Sequence, residues 1–212
     1  MRKGKDETLT ELLSGQDLCL FRGDRCLFKS LQFALNSGEL LVIEGPNGCG
    51  KTSLLRGIAG LLDFETGAVR WSGSPLRENY QGFRADMVWL AHRVGCKGDL
   101  NLVENLRFEA GLRATDQSRL ESVLDRLKLT RLVDLPMRSL SAGQQRRVAL
   151  ARMLLAKARL WMMDEPFTNL DRGGQALVTE LLAEHLQEGG ASVIASHQAV
   201  EIDGRTRRIS LQ

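Results

Sequence analysis

A segment of eight residues, 45–52, constrains the fold of this chain more than any other part of its sequence. It fits the pattern G-x-x-x-x-G-K-[ST] at every fixed position, between a predicted apolar strand and a predicted helix. In that context the glycines let successive backbone N–H groups converge on phosphate oxygens, and the helix N-terminus adds a favourable electric field. The segment therefore predicts a phosphate-binding loop where a buried strand meets a helix.

Two side chains at the end of this loop have distinct predicted roles. Lys51 can reach the β- and γ-phosphates of a nucleotide, and the Thr52 hydroxyl can ligate Mg²⁺. The alternative, a glycine-rich turn that binds nothing, is disfavoured by the strand–loop–helix context. The predicted nucleotide contacts in and beside the loop are Gly45, Pro46, Asn47, Gly48, Cys49, Gly50, Lys51, Thr52 and Ser53.

An acidic pair follows a second apolar segment, residues 160–163. A buried strand there would deliver Asp164 and Glu165 to the carboxyl edge of a sheet, where α/β proteins bind ligands. Asp164 is predicted to hold Mg²⁺, and Glu165 is predicted to orient and deprotonate an attacking water. Alone, such a pair is equally typical of a surface turn; Lys51 upstream favours the functional interpretation.

A third motif, residues 140–144, has the sequence Leu-Ser-Ala-Gly-Gln. Ser141 with Gln144 three residues later forms the pattern of a capping box, which opens a helix. The free N–H groups of such a helix end attract anions. Taken alone, the motif is better explained by Ser141 acting only as a helix cap.

The order of predicted elements indicates an α/β domain with a mainly parallel, buried sheet. Alternating apolar residues over 31–35 predict antiparallel strands at the N-terminal side, and residues 100–156 predict a helical insert. The predicted boundaries are a flexible tail at 1–14 and one domain at 15–212. His185, among polar neighbours on a predicted helix, is expected to be exposed.

Composition argues against several other classes of protein. The net charge of +3 is small and its basic residues are dispersed, so no nucleic acid partner is expected. No apolar run approaches the roughly 18 residues of a membrane span. The four cysteines lack paired spacing, which is typical of a reducing, cytosolic environment without disulfides.

The three motifs, together with Thr168-Asn169-Leu170-Asp171 and Ser196-His197, occur in the order found in ABC ATPases, which this chain resembles over nearly its whole length. The resemblance implies a P-loop ATPase fold with ATP and Mg²⁺, working as a head-to-tail dimer. It implies that Ser141, Gly143 and Gln144 contact ATP held by the partner copy, while Asp171 crosses the dimer contact. It also assigns His197 to the histidine that contacts the γ-phosphate and the catalytic acid.

Two positions depart from the family pattern. Where the family has glutamine before the helical insert, this chain has His92, whose neutral imidazole can ligate or hydrogen-bond. His92 is therefore included among the predicted catalytic residues. Where the family stacks adenine on an aromatic ring, Arg22 stands beside Phe21; either could stack, and Phe21 is equally plausible in the core.

Within the family, residues 140–152, 164–168 and 196–198, with His92, resemble the ATP-binding subunits of bacterial cytochrome c maturation, or haem exporter, complexes. That resemblance implies ATP-driven haem handling by a peripheral subunit on the cytoplasmic face of the inner membrane, bound to integral membrane subunits. A membrane-protein helix would dock around residues 93–106, so Leu102 or Val103 is expected to be partly exposed.

Three alternatives remain open at this stage. One is the ATPase subunit of another small ABC exporter. A chromosome-structure or DNA-repair ATPase shares the 140–144 motif, but it needs a long coiled coil in the 88 or so residues after the loop, which show no sustained heptads. Soluble ABC proteins that act on ribosomes usually carry two such domains, and this chain shows one.

Overall fold

The computed structural model describes residues 11–202 and 204–212. These residues contain nine strands, which are β1 (Glu11–Arg22), β2 (Arg25–Asn36), β3 (Leu40–Glu44), β4 (Thr66–Trp71), β5 (Ser74–Pro75), β6 (Met87–Leu90), β7 (Leu160–Asp164), β8 (Ala191–Ala195) and β9 (Thr206–Ser210). They also contain six α-helices, which are α1 (Lys51–Ile58), α2 (Tyr80–Asp86), α3 (Leu102–Ala110), α4 (Leu120–Arg126), α5 (Ala142–Leu155) and α6 (Arg172–Gln187).

A parallel five-stranded sheet, in the order β6-β7-β8-β3-β9, forms the centre of the fold. Its inner strands β7 and β8 are buried at every residue, and β3 is buried up to its last residue. Strands buried on both faces need continuous apolar sequence, which is what these segments supply. The predicted mainly parallel sheet is confirmed.

The register of the parallel strands brings three chain segments to one edge. Ala195 at the end of β8 pairs with Ile43 on one side and with Asp164 on the other. The chain therefore leaves β3, β7 and β8 at nearly the same level. The phosphate-binding loop, the acidic pair and His197 follow directly at that level.

The antiparallel sheet, in the order β2-β1-β4-β5, covers the N-terminal part of the chain. Its predicted antiparallel pairing is confirmed, with irregularities in register along β1 and β2. The predicted flexible tail was too long, because β1 begins at Glu11 and buries Leu12 and Leu13. Residues 1–10 of that predicted tail lie outside the described part of the chain.

The helical insert predicted at 100–156 is confirmed. Between β6 and β7 the chain forms α3, α4 and α5 with three short 3₁₀ turns and no named strand. Leu102 is fully buried in the core that the insert shares with β6 and β7, whereas Val103 is half-buried, as expected for one of the two. In the described residues, none of the helices combines the length and apolar character needed to cross a bilayer.

Helix α2 and the short strand β5 were not predicted. Asn79 caps α2 by accepting a hydrogen bond from the Gly82 N–H at 3.2 Å. The helix is only two turns long and buries one side chain, Phe83, edge-on to Trp71 with ring centroids 5.7 Å apart. Helix α2 is buried only through contacts with other elements. An apolar pattern this short does not distinguish a helix from a loop in the sequence.

His185 was expected to be exposed, and the structure contradicts this. It is only 8% exposed, and its ring stacks on Trp161 with centroids 4.1 Å apart. Its Nε2 lies 3.2 Å from the Ala191 carbonyl oxygen. The position follows Leu181 by four residues and so shares the buried face of α6. Burial lowers the pKa of His185 from 6.5 to about 4.

Because its folded-state pKa is depressed, His185 should make stability depend on pH between 6.5 and about 4. The unfolded chain binds a proton in this window that the folded chain does not, so stability falls as pH falls. Relative to His185→Phe, the wild type should lose on the order of 2 kcal/mol of unfolding free energy between pH 7.5 and pH 5. Urea unfolding at both pH values measures this difference.

A second variant, His185→Gln, controls for the lost hydrogen bond, because its side chain keeps an N–H donor for the Ala191 carbonyl but does not titrate. It should show the same weakened pH dependence as His185→Phe. A pH dependence equal to that of the wild type in both variants would contradict the buried, neutral state of His185.

Candidate functional site

The phosphate-binding loop curls around the ammonium of Lys51. The Lys51 Nζ donates hydrogen bonds to the carbonyl oxygens of Gly45, at 2.7 Å, and Pro46, at 3.2 Å. Gly45 has a φ of 145° and approaches β9 so closely that a Cβ would lie 2.5 Å from the Leu211 carbonyl oxygen. Gly50, with a φ of 112°, is the N-cap of α1. Both positions therefore require glycine.

Thr52 and Asp164 face each other across the end of the sheet. The Thr52 hydroxyl lies 3.1 and 3.0 Å from the two carboxylate oxygens of Asp164. Burial raises the pKa of Asp164, and the hydrogen bond from Thr52 opposes that rise. A buried carboxylate beside a hydroxyl is a set of hard oxygen donors, which suits a Mg²⁺ ion that keeps most of its other ligands from phosphate and water. The predicted metal-binding pair is thus brought together.

Glu165 and His197 form a second polar pair beside the first. The Nδ1 of His197 lies 2.7 Å from Oε2 of Glu165. The Glu165 backbone has a φ of 50°, an uncommon conformation for this residue type, and its N–H donates to the Ala195 carbonyl at 2.9 Å. The Glu165 side chain is 16% exposed and that of His197 is 57% exposed, so both are accessible from the solvent side.

A cavity of about 680 Å³ is lined by the loop together with Asp164 and Glu165, whereas the predicted catalytic residue His197 is not among its lining residues. Arg56 and Arg93 also line it, and sequence reasoning missed both of them. Arg56 lies one turn beyond Thr52 on α1, so helical spacing from the predicted loop was the available signal. The remaining lining residues are Arg22, Leu27, Asn47, Gly48, Gly50, Lys51, Thr52, Ser53, Leu61, Trp89, Ala91, His92, Asp164 and Glu165.

Three of the predicted loop contacts do not line this cavity. They are Gly45, Pro46 and Cys49. The carbonyls of the first two receive the Lys51 ammonium. Cys49 is buried in the hydrophobic core, and its N–H donates to the Pro46 carbonyl at 3.3 Å. All four cysteines are free thiols.

The structure separates the two candidates for contact with the nucleobase. Arg22, at the end of β1, lines the cavity with Leu27 and Asn47. Phe21 is 41% exposed and is neither a lining residue nor a core residue. Successive strand residues point to opposite faces, which explains why only one of the two reaches the cavity.

Ser141 begins α5 with the predicted capping box. Its Oγ accepts from the Gln144 N–H at 3.3 Å, and its own N–H donates to the Gln144 side-chain oxygen at 2.8 Å. A separate cavity of about 380 Å³ lies at this helix end. Its lining residues are Lys128, Ser141, Gly143, Gln144, Arg147, Asn169, Leu170 and Asp171. The two cavities share no lining residue, so the helix end at Ser141 and Gly143, called the cap below, opens to a different cavity from the loop.

Comparison with known proteins agrees with this geometry. Residues 28–168 match the ABC transporter family. The chain is 44% identical to the cytochrome c biogenesis ATP-binding export protein CcmA of Methylococcus capsulatus, covering 94% of this chain and 97% of that protein. It is 40% identical to the protein of the same name from Escherichia coli K12, covering 94% and 96%.

Solved structures show the same fold. An ABC transporter ATP-binding protein from Pyrococcus furiosus superposes with a TM-score of 0.81 at 24% identity, covering 94% of this chain and 96% of its own. The cbiO1 protein of Clostridium perfringens, part of the ABC transporter complex cbiONQ, superposes with a TM-score of 0.75 at 25% identity, covering 89% and 79%. The chain belongs to the ABC transporter family and is an ATP-binding ATPase of that family.

Proposed function

We propose that this ATPase hydrolyses ATP at the edge where β3, β7 and β8 end, and that it does so as a head-to-tail pair. The observation that carries this proposal is the convergence of Thr52, Asp164 and Glu165 on one cavity with the phosphate-binding loop, with His197 in contact with Glu165. Lys51 and the loop amides would hold the β- and γ-phosphates.

Each polar side chain at this edge then has a separate task. The Glu165 carboxylate accepts the proton of the attacking water, and His197 holds that carboxylate through its 2.7 Å contact. His92, at the end of β6, lines the same cavity and can hydrogen-bond to water or phosphate. Thr52 and Asp164 would hold Mg²⁺, which would neutralise charge on the phosphates.

In the proposed dimer, the second copy covers the bound ATP with the N-terminus of its α5. Ser141 and Gly143 lie at an accessible helix N-terminus, flanked by the cations Lys128 and Arg147. This end favours an anion, and it lines a different cavity from that of the loop. We propose that Ser141, Gly143 and Gln144 contact ATP held by the other copy, with Asp171 at the contact between the two copies.

The cellular role that we propose is to power haem export or haem handling in c-type cytochrome biogenesis. The names of the relatives, cytochrome c biogenesis ATP-binding export proteins, support this role. The partners would be integral membrane subunits at the inner membrane, with the chain on the cytoplasmic face. Half-buried Val103 and exposed Lys97 and Glu104 leave part of the segment 93–106 accessible for docking, while Leu102, Asn105 and Leu106 are buried. No nucleic acid partner is proposed.

Replacing Glu165 tests the chemistry and the pairing together. Glu165→Gln should lower ATP turnover by about 10²–10⁴-fold, the range for loss of a general base, while ATP still binds. With ATP and Mg²⁺ this variant should elute as a dimer in size-exclusion chromatography. Adding Ser141→Arg to Glu165→Gln should leave it monomeric with ATP bound. Full turnover of Glu165→Gln, or a monomer under these conditions, would contradict the proposal.

Replacing Arg22 tests recognition of the base. Arg22→Ala should raise the Kd for ATP by about fivefold to thirtyfold, because a guanidinium over a π-face contributes about 1–2 kcal/mol when desolvated. Phe21→Ala is the matched control on the opposite face of β1 and should leave the Kd unchanged. Fluorescent-nucleotide titration measures both values. The reverse order of effects would assign the base contact to Phe21.

A bacterial strain that lacks its own cytochrome maturation ATPase tests the cellular role. The wild-type chain, expressed together with the membrane subunits of a cytochrome maturation complex from the same organism, should restore covalently bound haem on c-type cytochromes. Glu165→Gln and Lys51→Ala should restore none. The measurement is haem staining of denaturing gels. Failure of the wild-type chain, when it is expressed and hydrolyses ATP, would favour the alternative of another small ABC exporter.

A further inference from the structure

Arg146 is a buried cation whose partners are all backbone carbonyls. It lies on α5, is only 2% exposed and is among the largest fully buried side chains. Its Nη1 donates to the Ala91 carbonyl at 2.8 Å, and its Nη2 donates to those of Asp164, at 3.0 Å, and Glu165, at 2.5 Å. Its Nε donates to the Pro166 carbonyl at 3.3 Å. Sequence reasoning gave this residue no role.

Keeping this charge inside the protein is costly. Burial lowers the pKa of Arg146 to about 10, while attraction to Asp164 and Glu165 opposes that shift. The guanidinium therefore stays protonated near neutral pH in a place where a cation is disfavoured. Charge-assisted hydrogen bonds to four carbonyls offset the cost. An apolar side chain would avoid the burial of a charge but would leave these four carbonyls without the Arg146 donors, so the guanidinium serves to hold the carbonyls as well as to fill the space.

The four carbonyls belong to the two strand ends that carry the proposed catalytic groups. Ala91 directly precedes His92, and Asp164, Glu165 and Pro166 form the end of β7 and the turn after it. Glu165 is the residue with the left-handed backbone conformation, and Arg146 donates a hydrogen bond to its carbonyl. Arg146 thus supports a strained conformation that aims the Glu165 side chain toward His197.

The same side chain connects this edge to the cap. Arg146 follows Gly143 by three residues, so it lies one turn into the helix that Ser141 opens. A shift of the α5 N-terminus against a partner's ATP therefore moves the guanidinium, and with it the carbonyls that it holds. A rigid helix of 14 residues transmits such a shift without a flexible joint.

We infer that Arg146 is a positioning residue for ATP hydrolysis, which holds His92 and Glu165 in place through their strand ends and ties that placement to the seating of the cap on the partner's nucleotide. This inference rests on the proposed function, because it takes Glu165 as the base and the cap as the trans contact. The planar guanidinium has several donors and can therefore hydrogen-bond to the ends of β6 and β7 at the same time. A lysine ammonium is a single point charge and reaches fewer of these carbonyls.

The test compares Arg146→Lys with a matched control, Arg113→Lys, in the purified full chain. Arg113 donates to the Met87 carbonyl at 2.9 Å, at the opposite end of β6, and pairs with Glu109. Arg146→Lys should lower kcat by about 10–10²-fold with little change in KM, the effect of a displaced catalytic group. Arg113→Lys should lower Tm by a similar amount and leave kcat unchanged.

A second variant, Arg146→Gln, guards against a folding defect in the first. It should fold, bind ATP and lose more turnover than Arg146→Lys, because it keeps fewer donors and no charge. Equal kcat in Arg146→Lys and the wild type would overturn the inference. So would a fall in kcat that follows Tm equally in all three variants, or loss of folding in both Arg146 variants, since either assigns Arg146 to stability alone.

The Glu165→Gln variant separates this inference from the proposed function. If Glu165→Gln keeps full turnover, the proposed base is wrong, and the role of Arg146 in placing it is wrong as well. If Glu165→Gln is inactive while Arg146→Lys keeps wild-type kcat, the proposed function stands and only the inference about Arg146 is overturned.

Discussion

The parallel register at Ala195 is the constraint on which the rest of the structure depends. Because Ala195 pairs with both Ile43 and Asp164, three strands end together and release their polar segments at one level. A slip of one residue in β7 would turn the Asp164 side chain to the opposite face of the sheet. Its 3.0 and 3.1 Å contacts with Thr52 would then be lost. The register of these strands is therefore also what sets the site geometry.

Two cations organise the polar edge that the register creates. The Lys51 ammonium donates hydrogen bonds to carbonyls of the phosphate-binding loop. The Arg146 guanidinium donates hydrogen bonds to carbonyls at the ends of β6 and β7. Parallel strands that end together leave carbonyl oxygens without partners in the sheet, and buried carbonyls need donors. In this chain the donors are charged. Charged donors make stronger hydrogen bonds, and they also create a positive field around the cavity, to which Arg56 adds.

The motifs were predictable because their function is encoded locally. The loop at 45–52, the acidic pair and the capping box each depend on a few neighbouring residues, and the Ser141 box formed as the sequence predicts. The misses involve residues whose surroundings come from distant parts of the chain. His185 is buried by Trp161, 24 residues earlier, and Arg146 finds its partners 18 to 55 residues away. The choice between Phe21 and Arg22 needed the orientation of β1, which composition does not contain.

The separation of the two cavities constrains any account of how ATP is used. The loop cavity presents the base and the metal-binding oxygens, and the cap cavity presents a helix N-terminus with two cations. Neither cavity alone presents both sets of groups, and water that reaches the exposed side chains around the loop cavity would weaken their electrostatic contacts with a triphosphate. A second copy in the opposite orientation closes both openings with surfaces that the chain already has. In the proposed dimer, closure would promote hydrolysis, because the helix that makes the closing contact also carries the side chain that holds the strand end of Glu165.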